Sequence, residues 1–325
     1  MTQNFKDYSY DGNPHCYICG YTFYMIPYDP KATSLRKHDG AVFHNAEDVE
    51  DLHLFRRKAW WAVHRLILCN QEEHTCHISA VAVCTIMSAP LNEGHGLVSR
   101  PWRQRQIERV VEPRFHDYHR EPQRCWEWVG YRVHGRCWEL LLYHELGATA
   151  EKNLAIVLAA LRQRYKMGYL RKTEIPEMTT EDPVRTKCVS EAIGMALEQA
   201  DRRKLKSKRR QSVRKSVRQT GTCNLPVEIL YMISNYLPSQ AIANMEKAWG
   251  FRFSNTFWYS RIPTKIFHEV EDVADEDLDW QRLCLKLERR LEKSEALNTR
   301  RYLFECLDEI LSIVKTMGGQ LNLHH

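Results

Sequence analysis

Long hydrophobic runs are missing from this chain. Apolar runs such as AIVLAAL at 155–161 are far too short to cross a bilayer. The first residues, MTQNFKDYSYDGN, are polar and include an acid, which does not fit a secretory signal. Hydrophobic residues make up 43% of the sequence and charged residues 27%, a globular composition. We therefore expect a protein without membrane contact, located in the cytoplasm, the nucleus or both.

Motifs that mark common enzyme classes are also missing. The sequence has no Walker loop, no G-x-S-x-G nucleophile elbow and no H-E-x-x-H motif. His134 and Cys137 can be considered as a nucleophile pair, but no orienting acid or oxyanion donor is identifiable around them. No internal repeat is present. The sequence predicts that this protein is not an enzyme.

Cysteine is plentiful, with 11 residues scattered over the chain. In a reducing compartment an odd number of cysteines predicts free thiols or metal ligands rather than a disulfide framework. Cys16 and Cys19, followed by Gly20, form a C-x-x-C knuckle whose two thiolates can reach one ion. The best candidates for the other two ligands are His134 and Cys137, at H-x-x-C spacing ahead of an apolar helix. Four protein ligands leave no open position, so this pattern predicts a structural zinc site.

Two alternatives to this ligand set stay open. Cys16 and Cys19 can simply be small residues at an exposed turn. A rival cluster, able to supply the missing ligands or a second site, comprises Cys69, His74, Cys76 and His77. Its spacing is irregular and part of it lies at the edge of a predicted strand, where side chains alternate between faces. Core or surface roles are therefore favoured for these four residues.

The segment LPVEILYMISNYL, residues 225–237, is the most informative part of the chain. Its apolar residues recur at helical spacing and make one broad stripe. Pro226 suits the first turn of a helix, Pro238 ends it, and Ser239 is a suitable N-cap for a second helix, QAIANMEKAW. An ordinary amphipathic helix pair packed into its own domain has the same periodicity.

The LPxEI start, the Leu-Pro-Ser break and the short second helix together resemble an F-box. FWYSRIP at 257–263 and DWQRLCLKLERRL at 279–291 resemble the following segments of fungal F-box-like proteins. The H-x-x-C-W pattern at 134–138 resembles a signature that many of those proteins carry upstream. The chain departs from the common F-box after Ala248, where WGFRFSN replaces the usual third helix.

This resemblance implies a substrate-receptor subunit of a ubiquitin ligase. It would dock on the Skp adaptor of a cullin–RING ligase and recruit an unknown protein target for ubiquitination. The residues implied at the adaptor contact are Leu225, Pro226, Ile229, Leu230, Ile233 and Leu237. Well-known F-box proteins recruit targets with leucine-rich, WD40 or kelch repeats, which this chain lacks. The target site is thus left open between the amino-terminal domain and the carboxy-terminal helices.

Positive charge is concentrated in one segment. Residues 202–218 contain ten lysines or arginines and no acid, although the net charge of the chain is only +6. An alternative function is therefore a zinc-containing nucleic-acid-binding regulator that uses this segment. A solvated linker or an import signal is favoured, since no aromatic residues are interleaved to stack on bases. The acidic stretch 269–279 can fold back onto the basic segment or form a loop.

The overall expectation is an α+β protein. A mixed Cys/His domain spans 1–150 and a helical extension 151–200, followed by a basic linker at 201–222. An F-box-like three-helix module spans 223–268, and further helices fill 269–325. Within the first domain, KAWWAVHRLIL at 58–68 predicts an amphipathic helix and CHISAVAVCTIM at 76–87 predicts a buried strand.

Overall fold

The computed structural model describes residues 15–23, 42–51, 59–83, 89–91, 95–98, 110–111, 114–115, 127–167, 179–209 and 225–321. The chain divides into two compact units, one formed by Met1–Val184 with Thr299–His325 and the other by Arg185–Asn298. This division does not follow the boundaries drawn from the sequence. Among the described residues, every helix is too short or too polar to reach across a bilayer.

The first unit is built on a mixed sheet. The strands, in chain order, are β1 Val42–Asn45, β2 His64–Asn70, β3 Cys76–Ile78, β4 Ala82–Val83, β5 Ala89–Pro90, β6 His95–Val98, β7 Val110–Val111, β8 Arg114–Phe115 and β9 Trp128–His134. In the described residues the main sheet has the order β1-β6-β4-β2-β9-β8, with β3 also paired to β2. Strands β5 and β7 form a separate pair.

The centre of this sheet is the antiparallel pair β2 and β9, which runs in register from His64 opposite His134 to Asn70 opposite Trp128. The prediction of a helix over 58–68 is wrong, because these residues form a short 3-10 turn, Trp60–Ala62, followed by β2. Six of the seven β2 residues are buried, so both faces of the strand are covered. A short apolar run buried on both faces lacks the alternation that distinguishes a strand from a helix.

The strand predicted over 76–87 is only partly present. It is divided into β3 and β4, which both pair with β2. The interruption follows Ile78, where Ser79 donates its hydroxyl to Ala80 O and accepts from the backbone N–H of Leu66. Residues 84–87 lie outside the described part of the chain.

The other regular elements among the described residues are mainly α-helices. They are α1 Ala46–Glu50, α2 Gly135–Tyr143, α3 Glu145–Lys152, α4 Leu154–Lys166, α5 Lys187–Arg209, α6 Val227–Ser234, α7 Ser239–Trp249, α8 Asn255–Ser260, α9 Trp280–Leu291 and α10 Glu295–Leu321. The prediction of a mixed amino-terminal part followed by a helical carboxy-terminal half is confirmed. Ser239, predicted as an N-cap, is instead the first residue of α7 after Pro238.

The second unit has an aromatic core beneath α6 and α8. Phe253 stacks on Phe257 at 4.2 Å between ring centroids, and Tyr231 of α6 meets both rings edge-on. Trp258 is 1% exposed and donates its indole N–H to Glu246, whose carboxylate also accepts the backbone N–H of Phe253. These contacts hold α6, α7 and α8 together as one packed group.

Two helical glycines make a matched test of this structure. A Cβ atom on Gly147 of α3 would lie 2.4 Å from the carbonyl oxygen of Leu142, which belongs to the backbone and cannot move aside cheaply. A Cβ on Gly194 of α5 meets nothing within 4 Å. We expect Gly147→Ala to lower the free energy of unfolding by about 1–3 kcal/mol. We expect Gly194→Ala to raise it by about 0.5–1 kcal/mol, because alanine restricts the unfolded chain.

Urea unfolding followed by circular dichroism measures both changes. Equal effects of the two substitutions would contradict the packing described around Gly147.

Candidate metal centre and exposed helix face

Cys16 and Cys19 lie on a tight turn that carries the features of a metal-binding knuckle. Gly20 has a φ of 78°, in the left-handed region that glycine adopts without a steric penalty. Its backbone N–H donates to Cys16 O at 2.9 Å, and the N–H of Cys16 donates to Tyr21 O at 2.9 Å. The turn therefore holds both thiols on one side, as the C-x-x-C spacing predicts.

His134 and Cys137 come from the junction between β9 and α2. His134 ends the strand and is the N-cap residue of α2, so Cys137 falls in the first turn of that helix. The knuckle is joined to this strand by a hydrogen bond from Tyr17 N–H to Arg132 O, 3.0 Å long. The backbone N–H of His134 also lies 3.4 Å from Cys16 Sγ. The first turn of a helix favours the negative charge that a thiolate brings.

The four side chains converge on one point. Their potential ligand atoms all lie within 4.8 Å of one another, and all four residues are fully buried. His134 Nδ1 lies 3.3 Å from Cys19 Sγ and 3.8 Å from Cys137 Sγ. A tetrahedral ion with metal–sulfur bonds of about 2.3 Å and a metal–nitrogen bond of about 2.0 Å holds its donors roughly 3.5–3.8 Å apart. The donor set and its spacing fit a metal ion, and the structure brings together all four ligands predicted from the sequence.

Burial makes ionisation of these thiols unfavourable unless a cation lies beside them. It raises the pKa of both Cys19 and Cys137 well above the usual thiol value. Burial acts in the same direction on Cys16, but hydrogen bonds from Cys137 and Cys19, together with the nearby His134, hold the pKa of Cys16 well below its usual value. The cluster thus favours one thiolate, and a bound cation would allow all three to ionise.

An aromatic shell surrounds the imidazole of His134. The ring of Phe23 lies 4.2 Å from it and the ring of Trp60 lies 5.4 Å away, measured between centroids. Nδ1 faces the sulfur atoms, and the buried Nε2 has no hydrogen-bond partner among the described residues. The Nε2 side of the ring is therefore held by packing alone, while Nδ1 is in hydrogen-bond contact with Cys19 Sγ inside a fully buried shell.

Side chains of helices α4 and α10 donate hydrogen bonds to the backbone of the Cys16–Cys19 knuckle. Arg164 of α4, 2% exposed, donates to Ile18 O at 2.6 Å and forms an ion pair with Glu309 of α10. Tyr302 of α10 donates its hydroxyl to Cys19 O at 2.6 Å. These contacts of Arg164 and Tyr302 were not predicted from the sequence. The position of Arg164 did indicate burial, because it continues the apolar stripe of α4 three residues after Leu161.

The rival cluster is not a metal site in this structure. Cys69 and Cys76 form a disulfide, so the expectation of free thiols or ligands is wrong for this pair. They lie directly opposite each other in the antiparallel pair β2 and β3, with their Cα atoms 4.3 Å apart, which permits the bond. His74 and His77 are exposed.

The residues predicted at an adaptor contact are divided between two sides of α6. Leu230 is 2% exposed and belongs to the core of the second unit, and Leu237 is half-buried against that core. The others are open to solvent, namely Leu225, Pro226, Ile229 and Ile233. Met232 and Tyr236 extend the exposed set, being 61% and 89% exposed. We call the five large exposed side chains the α6 face, comprising Leu225, Ile229, Met232, Ile233 and Tyr236.

Comparison with known proteins gives no match. No protein-family model matches this chain, and no curated protein or solved structure matches it at a significant level.

From the geometry of the metal centre we predict that the protein binds an ion and that binding requires the four ligands. We expect purified protein to contain about one ion per chain, and Cys19→Ser or Cys137→Ser to lose it. Cys188→Ser is the matched control, because Cys188 is a half-exposed free cysteine outside the cluster. Inductively coupled plasma mass spectrometry of the desalted proteins measures the ion. Equal ion content in Cys19→Ser and Cys188→Ser would contradict the assignment.

Proposed function

We propose that this chain is an F-box-type substrate-receptor subunit. In this proposal the α6 face docks on the Skp adaptor of a cullin–RING ubiquitin ligase, and the chain recruits a protein target for ubiquitination. The observation that carries the proposal is a short helix that is apolar on two sides, one of which is exposed. The protein has no catalytic role here and acts by positioning its target.

The α6 face has the properties of a surface that another protein covers. Ile229, Met232 and Ile233 lie on α6 at helical spacing and form a ridge next to the buried Leu230, while Leu225 precedes the helix and Tyr236 follows it. Fully burying a leucine, isoleucine or methionine contributes about 1.5–3 kcal/mol, and Ile229 and Ile233 still expose 39% and 37% of their surface. A contiguous exposed apolar ridge on a soluble helix is typical of an interaction site.

The segments that resemble an F-box also hold the α6 face in place. Arg261, in the FWYSRIP segment, donates to the carbonyl oxygens of Ser234 and Leu237, at 3.1 and 2.8 Å, after the last turn of α6. Ser234 O also accepts the backbone N–H of Leu237 at 3.2 Å, so Arg261 adds a second hydrogen bond at the end of α6 and fixes the residues that follow it. Phe257 of the same segment packs against Tyr231 of α6. This division between a fixed side and an exposed side supports a preformed docking helix.

We further propose that the ion of the metal centre is structural zinc. Three thiolates and one imidazole, closely spaced and buried, are a typical zinc donor set, and four protein ligands leave no position for a substrate. The ion would hold the knuckle against the junction of β9 and α2. Its contribution to the stability of the first unit would be on the order of 10 kcal/mol, as for other structural zinc sites.

The nucleic-acid alternative gains no support from the described part of the basic segment. Arg203 forms an ion pair with Asp279 at 2.6 Å, and Lys204 forms one with Glu276 at 3.5 Å. Two residues of the acidic stretch therefore pair with the second half of α5, and they compete there with any phosphate backbone. Residues 210–218 lie outside the described part of the chain.

The adaptor proposal predicts a loss of binding without a loss of folding. We expect Leu225→Ala combined with Ile229→Ala to weaken binding of a purified Skp adaptor at least tenfold, since each truncation removes about 1 kcal/mol of apolar burial. The matched control is Leu142→Ala with Leu205→Ala, two exposed leucines outside the α6 face. Isothermal titration calorimetry measures both affinities. No adaptor binding by the unaltered chain, or equal binding by all three proteins, would refute the proposal.

The zinc proposal predicts release of the ion at low pH. In the metal-free protein the raised pKa values of Cys19 and Cys137 keep these thiols protonated, so protons compete with the ion. Apparent zinc affinity should therefore rise with pH and fall on acidification from about pH 7.5 to about pH 5. A chromophoric zinc chelator measures the released ion. Affinity independent of pH would contradict thiolate ligation.

A further inference from the structure

Helix α9 carries a stripe of cations along one face. Its members are Arg282, Lys286, Arg289 and Arg290 of the helix and Lys293 in the turn that follows it. At 3.6 residues per turn the four members within α9 fall within about 100° of the helix circumference, and the apolar residues Leu283 and Leu287 occupy the adjoining buried side. We call these five residues the α9 stripe.

None of the five side chains forms an ion pair among the described residues, in contrast to Arg203 and Lys204 of α5, although Glu191 acts on Lys286 from a longer distance. Four of its members are exposed and Lys286 is half-buried. Arg289 donates to the amide oxygen of Gln240 at 2.7 Å, and Lys286 Nζ lies 3.3 Å from Met195 Sδ, so the nearest contacts are neutral.

Like charges crowd one another at the middle of the stripe. Partial burial lowers the pKa of Lys286, and the neighbouring Arg290 and Arg282 lower it further, although Glu191 acts in the opposite direction. An anion placed over this face relieves the repulsion among the three cations. The stripe is therefore complementary to negative charge.

Acidic residues limit the length of an anion that the stripe can hold. Asp275, Glu276 and Asp277 are exposed just before α9, and Glu292 and Glu295 are exposed at its other end. The helical part from Arg282 to Arg290 is about 12 Å long. An extended peptide advances about 3.3 Å per residue, so four or five residues span it. A longer polyanion, such as a nucleic acid, meets acids at both ends and is repelled.

We infer that the α9 stripe binds a short acidic segment of another protein, with carboxylate or phosphoserine side chains facing the cations. Where the chain acts as a substrate receptor, as proposed above, this face would hold the acidic segment of the target. The contact itself depends on α9 and does not require the α6 face.

The test compares two charge-reversal variants of the full chain. Arg282→Glu with Arg290→Glu reverses two exposed cations of the stripe. The control, Lys152→Glu with Lys247→Glu, makes the same change in net charge at exposed positions elsewhere. Fluorescence anisotropy at low salt measures binding of a labelled hexaglutamate peptide, of a phosphoserine peptide of equal length, and of a 12-base-pair DNA duplex. Circular dichroism checks that helix content is unchanged.

We expect the stripe variant to bind one or both peptides at least tenfold more weakly than the unaltered chain, and the control to change affinity less than twofold. Tighter binding of the phosphoserine peptide than of hexaglutamate would assign the segment to phosphorylated partners, and equal binding would assign it to carboxylates. Absence of peptide binding, equal losses in both variants, or tighter binding of DNA than of either peptide would overturn the inference.

Adaptor binding measured on the same proteins separates this inference from the proposed function. The stripe variant should retain adaptor affinity, and Leu225→Ala with Ile229→Ala should retain peptide affinity. If the unaltered chain binds the adaptor but neither peptide, this inference has failed. If it binds a peptide but not the adaptor, the proposed function has failed.

Discussion

The first unit depends on bringing four buried donors to one point from distant parts of the chain. Cys19 and His134 are 115 residues apart, yet their donor atoms lie 3.3 Å from each other. Thiols and an imidazole removed from water lose their hydration, and their mutual hydrogen bonds compensate for little of that loss. Coordination of a cation would offset this cost. An ion shared by the turn at Cys16, the end of β9 and the start of α2 would therefore stabilise all three.

The four candidate metal ligands could be predicted from the sequence, whereas the residues that pack around them could not. The C-x-x-C and H-x-x-C pairs have local spacings that restrict their geometry, so Cys16, Cys19, His134 and Cys137 could be predicted together. The support from Arg164 and Tyr302 depends on how α4 and α10 pack against the knuckle, and no local pattern encodes that. The Cys69–Cys76 disulfide depends on the register of β2 against β3. The sequence pattern had indicated a helix in place of β2, so this register could not be predicted.

Helix α6 has one side buried in the core of the second unit and one exposed apolar side. Leu230 and Tyr231 belong to the aromatic core, and the carbonyls at the end of the helix are held by Arg261. A partner that covers Ile229 and Ile233 would meet a helix whose position is already fixed, so little ordering entropy would be lost on binding. Periodicity predicted the helix and its stripe. It could not show which stripe residues would face inward, since α6 is apolar on both sides.

The division of the chain into units has a consequence for synthesis. The second unit is one continuous stretch, Arg185–Asn298, whereas the first is completed by residues from Thr299 onward. Tyr302 and Glu309, which brace the knuckle, leave the ribosome only after the whole second unit has emerged. The α6–α9 group can therefore fold during translation while the Cys/His centre still lacks its last supports. A chain arrested before Tyr302 would contain all of α6 but would lack the hydrogen bond from Tyr302 to Cys19 O.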